Sequence, residues 1–196
     1  AESLFCLIDD PDVEIMRSHI SSDGVDYVIL AHHYDSRNVV FVLANRINHK
    51  DIAGYLRIRK IKNDIWQVED TCVYPKMQGK QLGLNLYIRV IQSGYVLING
   101  TSLSVEAENL WTVKLPKYCN VGVYDFETDK IEPYSLKPKS DDSFDQRFFF
   151  IASTKLAKLE GLNENFSNDA LNNMFYERWL MNKEVPAGGF RSKFYE

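Results

Sequence analysis

The chain has 196 residues, a length that suits one domain with a single hydrophobic core, or one domain with a small appendage. Its residues are 45% hydrophobic and 26% charged, an ordinary globular composition that argues against a disordered or fibrous chain. The net charge of −4 gives no reason to expect bulk affinity for nucleic acid.

The chain contains three cysteines, Cys6, Cys72 and Cys119. Their spacing fits no zinc-binding pattern and their odd number fits no closed set of disulfides, which favours a reducing compartment. No apolar run approaches the ~20 residues of a membrane-spanning helix. The first residues lack the basic region and apolar stretch of a signal peptide. We therefore expect a cytoplasmic protein without a metal or a membrane partner.

The N-terminal part of the sequence predicts one helix and then four strands. Val13, Met16 and Ile20 lie at a spacing that predicts a short helix over residues 11–20. Strand-forming runs separated by short polar turns follow at residues 25–34, 39–46, 52–62 and 65–74. Tight turns between successive strands predict an antiparallel meander.

After Pro75 the pattern alternates between helix and strand. Helices are predicted over 78–92 and 103–115, the first ended by Gly94 and the second by Pro116. The remaining predictions are strands over 95–98, 120–126 and 147–153, a polar loop over 127–143, and helices over 155–160 and 168–184. The order predicts an α/β domain over residues 1–154, with a mixed, mostly antiparallel sheet flanked by helices. A helical extension over residues 155–196 is expected to pack on it.

The segment from Gln78 to Gly83 (QGKQLG) follows a predicted strand and opens a predicted helix. A helix N-terminus offers backbone N–H groups without intrahelical partners and a partial positive charge, which together favour phosphate. Gly79 and Gly83 allow a close approach of the backbone, and Lys80 adds a cation. The segment is neither a P-loop nor the dinucleotide GxGxxG motif. It predicts a pyrophosphate-binding turn, the alternative being a glycine-containing turn into an ordinary helix.

The wider segment over residues 73–83 (VYPKMQGKQLG) resembles the signature of the GNAT superfamily of N-acetyltransferases. That signature is Gln/Arg-x-x-Gly-x-Gly/Ala after a strand that ends near a Val and a Pro. Gln78 and Gly83 match its first and last positions, whereas Gln81 replaces the usual middle Gly. Residues 104–111 (SVEAENLW) resemble the family's Asn-x-x-Ala-x-x-x-Tyr helix, with Ser and Trp at its two ends. The matches cover roughly residues 39–126, and this helix variant resembles acetyltransferase-like proteins of phages.

The resemblance implies an acetyl-CoA-dependent N-acyltransferase, with acetyl-CoA as co-substrate and a small-molecule or protein amine as acceptor. It also implies that the fourth predicted strand presents backbone groups to the pantetheine arm, beside a splay between the fourth and fifth strands. The cofactor-binding residues would then be Cys72, Val73, Gln78, Gly79, Lys80, Gln81, Leu82, Gly83 and Leu84.

The resemblance implies a base on the fourth predicted strand, whereas the candidate acid is a nearby tyrosine that the resemblance does not place. Glu69 and Asp70 lie on the fourth predicted strand, where alternation places Glu69 on one face with Thr71 and leaves a single carboxylate at the cleft. We take Glu69 as the candidate base, the alternative being that both are solvated carboxylates. Because Trp111 cannot donate a proton as Tyr does, it is interpreted as a core anchor, and Tyr118 is the candidate acid.

Several other features of the sequence allow a functional and a structural interpretation. Cys72, beside the cleft, is either a nucleophile or, in the favoured interpretation, a small buried residue. His32 and His33 are adjacent on a strand, so they face opposite sides and cannot chelate one metal ion. A basic strip on the third predicted strand would meet an acidic partner or nucleic acid, or simply be a solvated face; its members are Arg57, Arg59, Lys60 and Lys62.

The last predicted helix, over 168–184, has an apolar face that packs on its own sheet or on a second subunit of a homodimer. The alternative to the enzyme is a GNAT-fold protein without acetyltransferase activity. It would act as a viral binding module or in nucleic-acid modification. Gln81, Ser104 and Trp111, the three departures from the family pattern, favour that alternative.

Overall fold

The computed structural model describes residues 13–22, 24–62, 64–133 and 148–154. The described residues form one nine-stranded mixed sheet with the order β1-β2-β3-β4-β5-β6-β9-β7-β8. The strands are β1 (Val13–Ser22), β2 (Val25–His33), β3 (Asn38–Asn45), β4 (Ile52–Lys60), β5 (Ile65–Val73), β6 (Val96–Ile98), β7 (Asn120–Asp125), β8 (Lys130–Pro133) and β9 (Phe148–Ser153).

Two helical segments accompany the sheet. Helix α1 (Leu82–Gln92) follows a 3₁₀ turn at Pro75–Met77. Helix α2 (Val105–Asn109) continues as a π-helical turn (Leu110–Lys114) and ends as a 3₁₀ turn (Leu115–Lys117). The prediction of an α/β chain with a mostly antiparallel sheet is confirmed, since among the described strands only β5 and β6 pair in parallel.

The meander is confirmed and gains a strand at its N-terminal edge. The helix predicted over residues 11–20 is wrong, because Val13–Ser22 pair antiparallel with β2. Met16 and Ile20 are four residues apart, a spacing that places them on one side of a helix and also on one face of a strand. Both pack into the core against α1, whereas Val13 packs on the opposite face of the sheet.

The main core lies between the sheet and the helices. Buried side chains of β2 to β5 meet the apolar side of α1, and Trp111 and Leu115 close this layer from the second helical segment. The core residues of α1 are Leu82, Leu86, Tyr87, Ile88, Val90 and Ile91. The spacing of these residues explains why α1 forms here, since they give the helix one broad apolar side.

The C-terminal half departs from chain order, because β9 inserts between β6 and β7. The loop predicted over 127–143 is wrong for residues 130–133, which form β8 in a hairpin with β7. Asp125 accepts hydrogen bonds from the backbone N–H groups of Glu127 and Thr128 and fixes the turn. The helix predicted over 103–115 is confirmed as helical, although Pro116 lies inside its final 3₁₀ turn.

The predicted helices over 155–160 and 168–184, and the extension over 155–196, lie outside the described residues, as does Cys6. Residues 134–143 of the predicted loop also lie outside them. Among the helices that are described, none combines the length and the apolar character needed to cross a membrane.

Candidate functional site

The turn between β5 and α1 has two residues in the left-handed backbone region. Gly79 has a φ of 81° and Gln81 a φ of 57° with a ψ of 15°. A left-handed conformation is natural for Gly and costs a residue with a Cβ atom about 1 kcal/mol or more. Gln81 therefore keeps the backbone conformation that a glycine would favour, although its sequence position departs from the resembled signature.

The N-terminus of α1 lacks the usual means of satisfying its amides. Within the described residues, no side chain forms a cap hydrogen bond at Gln81, and the first turn carries no acidic residue. The first intrahelical bond runs from Asn85 N to Gln81 O over 3.0 Å, so the amides of residues 82–84 precede it. Such amides, with the helix dipole behind them, form an anion-binding end.

The turn is fixed to the end of β5 by two contacts. The Gln78 side-chain amide donates to Val73 O at 3.3 Å. A Cβ atom built on Gly83 would lie 3.2 Å from Val73 Cγ2, so helix and strand meet closely at this point. These contacts place the first turn of α1 beside Val73.

One edge of β5 is paired over only part of its length. Residues 65–67 pair in parallel with β6, which ends at Ile98, whereas β5 continues to Val73. Gly100 then passes close to β5, since a Cβ atom there would lie 2.9 Å from Val68 O. Beyond Gln67, β5 therefore continues without β6 as its pairing partner, and its C-terminal part leads to the α1 turn.

A β-bulge changes the faces on which the two carboxylates lie. Arg57 pairs with Asp70 and Ile58 with Val68, so Glu69 is the extra residue of β5. The predicted alternation is wrong here, because Glu69 and Asp70 both contact arginines on the face of β4 opposite α1. Thr71 opposes Leu56, a core residue, and so lies on the α1 face.

The carboxylates belong to an ion-pair network. Glu69 Oε1 lies 3.3 Å from Arg59 Nε, and Glu69 Oε2 lies 3.7 Å from Arg57 Nε. Asp70 Oδ2 lies 3.9 Å from Arg57 Nη2 and accepts a 2.8 Å hydrogen bond from Tyr55 Oη. Burial, reinforced by this bond, raises the pKa of Tyr55. Two cations and two carboxylates balance, so the cluster is an ion-pair network rather than an isolated pair of bases.

The predicted basic strip does not form one surface. Arg57 and Arg59 face the carboxylates, whereas the Lys60 ammonium lies over the Trp66 ring, 5.6 Å from its centroid. Lys62 is buried against Asp129, with which it forms a close ion pair, and donates to Tyr124 Oη at 2.8 Å. Arg57 and Arg59 share one face, whereas Lys60 and Lys62 have other surroundings, and each of the four cations has a partner.

Among the described contacts, none connects the candidate acid Tyr118 with the candidate base Glu69. Tyr118 lies after the last 3₁₀ turn with 55% of its surface exposed, and its backbone N–H donates to Leu115 O. None of the contacts found among the described residues links its hydroxyl to Glu69 or Asp70. Trp111 is confirmed as a core anchor, since it is 1% exposed.

A tyrosine that the sequence analysis passed over lies closer to β5. Tyr87 of α1 is buried, packs edge-to-face on Trp111 with ring centroids 5.9 Å apart, and lies beside the Thr71 side chain. Burial raises the pKa of Tyr87 well above its usual value. The sequence signal for Tyr87 was its spacing, because a residue four positions after Gly83 lies on the same side of α1 as Gly83.

The remaining candidate residues, Cys72, His32 and His33, lie on strands of the sheet. Cys72 is half-buried and lies on the face of Tyr55, its partner in the strand register. His32 is buried and His33 exposed, as expected for neighbours on a strand. Within the described residues, no three His, Cys, Asp or Glu side chains gather into a group that could hold a metal ion.

Comparison with protein-family models finds none that matches this sequence. Comparison with curated proteins finds no match either.

Proposed function

We propose that this protein is a GNAT-like, acetyl-CoA-dependent N-acyltransferase that moves an acetyl group to an amine. The observation that carries the proposal is the N-terminus of α1, which follows two left-handed residues and carries neither a side-chain cap nor an acidic residue in its first turn. It lies directly against the end of β5 through Val73.

The turn suits a pyrophosphate in both shape and charge. Backbone amides at residues 82–84 precede the first intrahelical bond and are oriented as a helix N-terminus orients them. Lys80 adds a positive charge in the turn itself. Gly79 would meet no atom within 4 Å if it carried a Cβ, so the outer side of the turn is open. An anion can therefore approach the amides without displacing a side chain.

The C-terminal part of β5 suits the extended arm of the cofactor. This section continues past the last residue of β6, so beyond Gln67 it no longer pairs with that strand. In the resembled family such a splay admits the pantetheine arm, and strand amides polarise the thioester carbonyl. Val73 would present its backbone there. Acetyl-CoA would supply an acyl group already activated as a thioester.

The two faces of β5 give the reaction two directions of approach. The turn and Thr71 lie with α1, whereas Glu69 and Asp70 lie on the other face. An acceptor amine would enter from the carboxylate face, and Glu69 would accept its proton, directly or through water. Arg57 and Arg59 would hold the Glu69 carboxylate in place during that step.

Calorimetric titration with acetyl-CoA tests the binding half of the proposal. We expect the parent protein to bind, and Lys80→Glu to lose about tenfold in affinity or more, because a carboxylate would face the pyrophosphate. Lys50→Glu, an equal charge change in the exposed β3–β4 turn, is the matched control and should bind as the parent does. No binding by the parent at millimolar acetyl-CoA would end the proposal.

The catalytic half is tested separately, by acetylation of a panel of small amines. Glu69→Gln should bind acetyl-CoA with unchanged affinity and transfer acetyl about 100-fold more slowly, the usual effect of removing a general base. A variant that acetylates as fast as the parent would remove Glu69 from the mechanism. Asp70→Asn is the neighbouring control, because it changes a carboxylate of the same face.

A second candidate is a GNAT-fold protein that does not transfer acetyl, acting as a viral binding module or in nucleic-acid modification. The contacts of Glu69 with two guanidinium groups favour this candidate. A carboxylate in such an ion-pair network can have a structural role without any catalytic one. The burial of Trp111 at the family's Tyr position favours it too. Binding of acetyl-CoA without transfer to any amine in the panel would select this candidate.

A further inference from the structure

The end of the β1–β2 hairpin contacts the turn before α1, although 50 to 58 residues separate the contacting groups along the chain. Strand β1 ends at Ser22, and two positions earlier Ile20 pairs with Tyr27 of β2. Ile20 and Tyr27 are buried in the main core, and Met77 of the turn packs against that core. Alternation places Ser22 on the same face as Ile20, toward α1. The hairpin end therefore lies against the inner side of the turn.

Tyr27 holds the 3₁₀ turn that precedes the two left-handed residues. Its side chain is 1% exposed, and its hydroxyl donates to Met77 Sδ at 3.6 Å. A buried phenol needs a hydrogen-bond partner, and among the described contacts Tyr27 has the Met77 thioether. The Met77 N–H in turn donates to Tyr74 O at 2.8 Å and closes the 3₁₀ turn. The core thus fixes the point from which the chain enters residues 78–81.

Ser22 contacts the next part of the same turn. Its hydroxyl donates to Lys80 O over 3.5 Å, a long bond for two oxygens. The Lys80 carbonyl and the Gln81 N–H belong to one planar peptide unit and point in opposite directions. The contact therefore directs the Gln81 N–H away from the hairpin, immediately before the amides of residues 82–84. Successive amides in a turn of this kind form a concave surface that suits an anion.

The conformation of the turn depends on such contacts. Gly79 is free to leave the left-handed region, and Gln81 occupies that region at a cost of about 1 kcal/mol or more. A residue with a Cβ atom keeps this conformation only where its surroundings hold it. Gln78 fixes the turn to β5 on one side, and Ser22 and Tyr27 fix it from the hairpin on the other.

We propose that Ser22 and Tyr27 are positioning residues for the pyrophosphate of acetyl-CoA; this inference rests on the function proposed above. Both act through another group, Ser22 through Lys80 O and Tyr27 through Met77, rather than by contact with the ligand. They keep the amides at residues 81–84 in the arrangement that receives the anion. Binding then does not have to order the turn, and the affinity for the pyrophosphate rises accordingly.

Calorimetric titration with CoA and with inorganic pyrophosphate tests this role. Tyr27→Phe removes only a hydroxyl and should lower the affinity for both ligands about fivefold, the effect of one hydrogen bond. Ser22→Ala should lower both affinities about threefold, because its bond is longer. The double variant should lose about tenfold or more, since the two contacts hold different residues of the turn. Ser22→Thr keeps the hydroxyl and should retain the affinities of the parent.

Ser93→Ala and Tyr95→Phe are the matched controls. Ser93 Oγ donates to Val90 O at 2.8 Å, so this variant loses a similar bond at the opposite end of α1. Tyr95 is a partly buried tyrosine that packs edge-to-face on Phe41 in the same core. Both controls should bind CoA and pyrophosphate as the parent does.

Parent-like affinities in the double variant would overturn the inference. A loss for CoA without a loss for pyrophosphate would overturn it too, because the change would then concern another part of the cofactor. A loss in Ser22→Thr as large as in Ser22→Ala would exclude the Ser22 hydroxyl as the cause. If the parent binds neither ligand, the proposed function fails together with the inference. If the parent binds CoA but not pyrophosphate, this turn does not hold the anion, and the inference fails while CoA binding stands.

Discussion

The two faces of β5 are built by different forces, although they share one strand. On the α1 face, Val73 meets Gly83 and Thr71 meets Tyr87, with Trp111 behind them, so the contacts are close, neutral and largely buried. On the other face, Glu69 and Asp70 meet two arginines at 3.3 to 3.9 Å, and Arg57 is 49% exposed.

The contrast between the two faces indicates which face mainly stabilises the fold and which face is available for chemistry. Close apolar packing contributes several kcal/mol per large side chain, whereas exposed ion pairs contribute about 1 kcal/mol or less. The α1 face should therefore hold the turn in place. The carboxylate face should tolerate changes in charge. It could therefore be used to bind an acceptor amine. Three experiments test this division.

The largest effect is expected for Trp111→Ala. Removing a 1% exposed indole leaves a cavity beside Tyr87 and should lower the free energy of unfolding by about 3–5 kcal/mol, measured by urea denaturation. Val113→Ala, in the same π-helical turn but 50% exposed, is the control and should cost less than about 0.5 kcal/mol. A loss below about 1.5 kcal/mol for Trp111→Ala would contradict a packed α1 face.

A smaller loss is expected for Gly54→Ala, where β4 and β5 meet opposite Val73. A Cβ atom there would lie 2.4 Å from Cys72 O and 3.2 Å from Val73 Cα, so the backbone must shift. We expect a loss of about 2–3 kcal/mol by the same denaturation. Gly83→Ala meets only the movable Val73 Cγ2 at 3.2 Å and should cost about 1 kcal/mol. Equal losses of stability in the two variants would show that the backbone at the end of β5 moves as readily as the Val73 side chain.

The smallest effect is expected on the carboxylate face. A double-mutant cycle of Arg57→Ala and Glu69→Gln should give a coupling free energy below about 1 kcal/mol, because the Arg57 side chain is half exposed and screened by water. Adding 0.5 M salt should reduce the coupling further. A coupling above about 2 kcal/mol would mean that this network stabilises the fold as strongly as the packed face does.

Sequence periodicity predicted the strands from β2 to β5 and helix α1, because each forms from a local run with a clear apolar pattern. It failed at Val13–Ser22, where the four-residue spacing of Met16 and Ile20 satisfies helix and strand alike. It also missed β8, which lies in a mainly polar stretch and forms a strand by pairing with β7. Both failures lie where pairing with a neighbouring strand, rather than the local pattern, decides the structure.

The turn over residues 78–83 is the part of the candidate site that the sequence determined by itself. Its glycines, its lysine and the helix pattern behind it are local features, and Gln81 adopts the left-handed backbone conformation that a glycine favours. Only the tertiary structure decided the surroundings of that turn. The bulge at Glu69 places both carboxylates with the arginines, and the packing of α1 brings Tyr87 to Thr71. These arrangements depend on register and on contacts between distant segments, which no local pattern encodes.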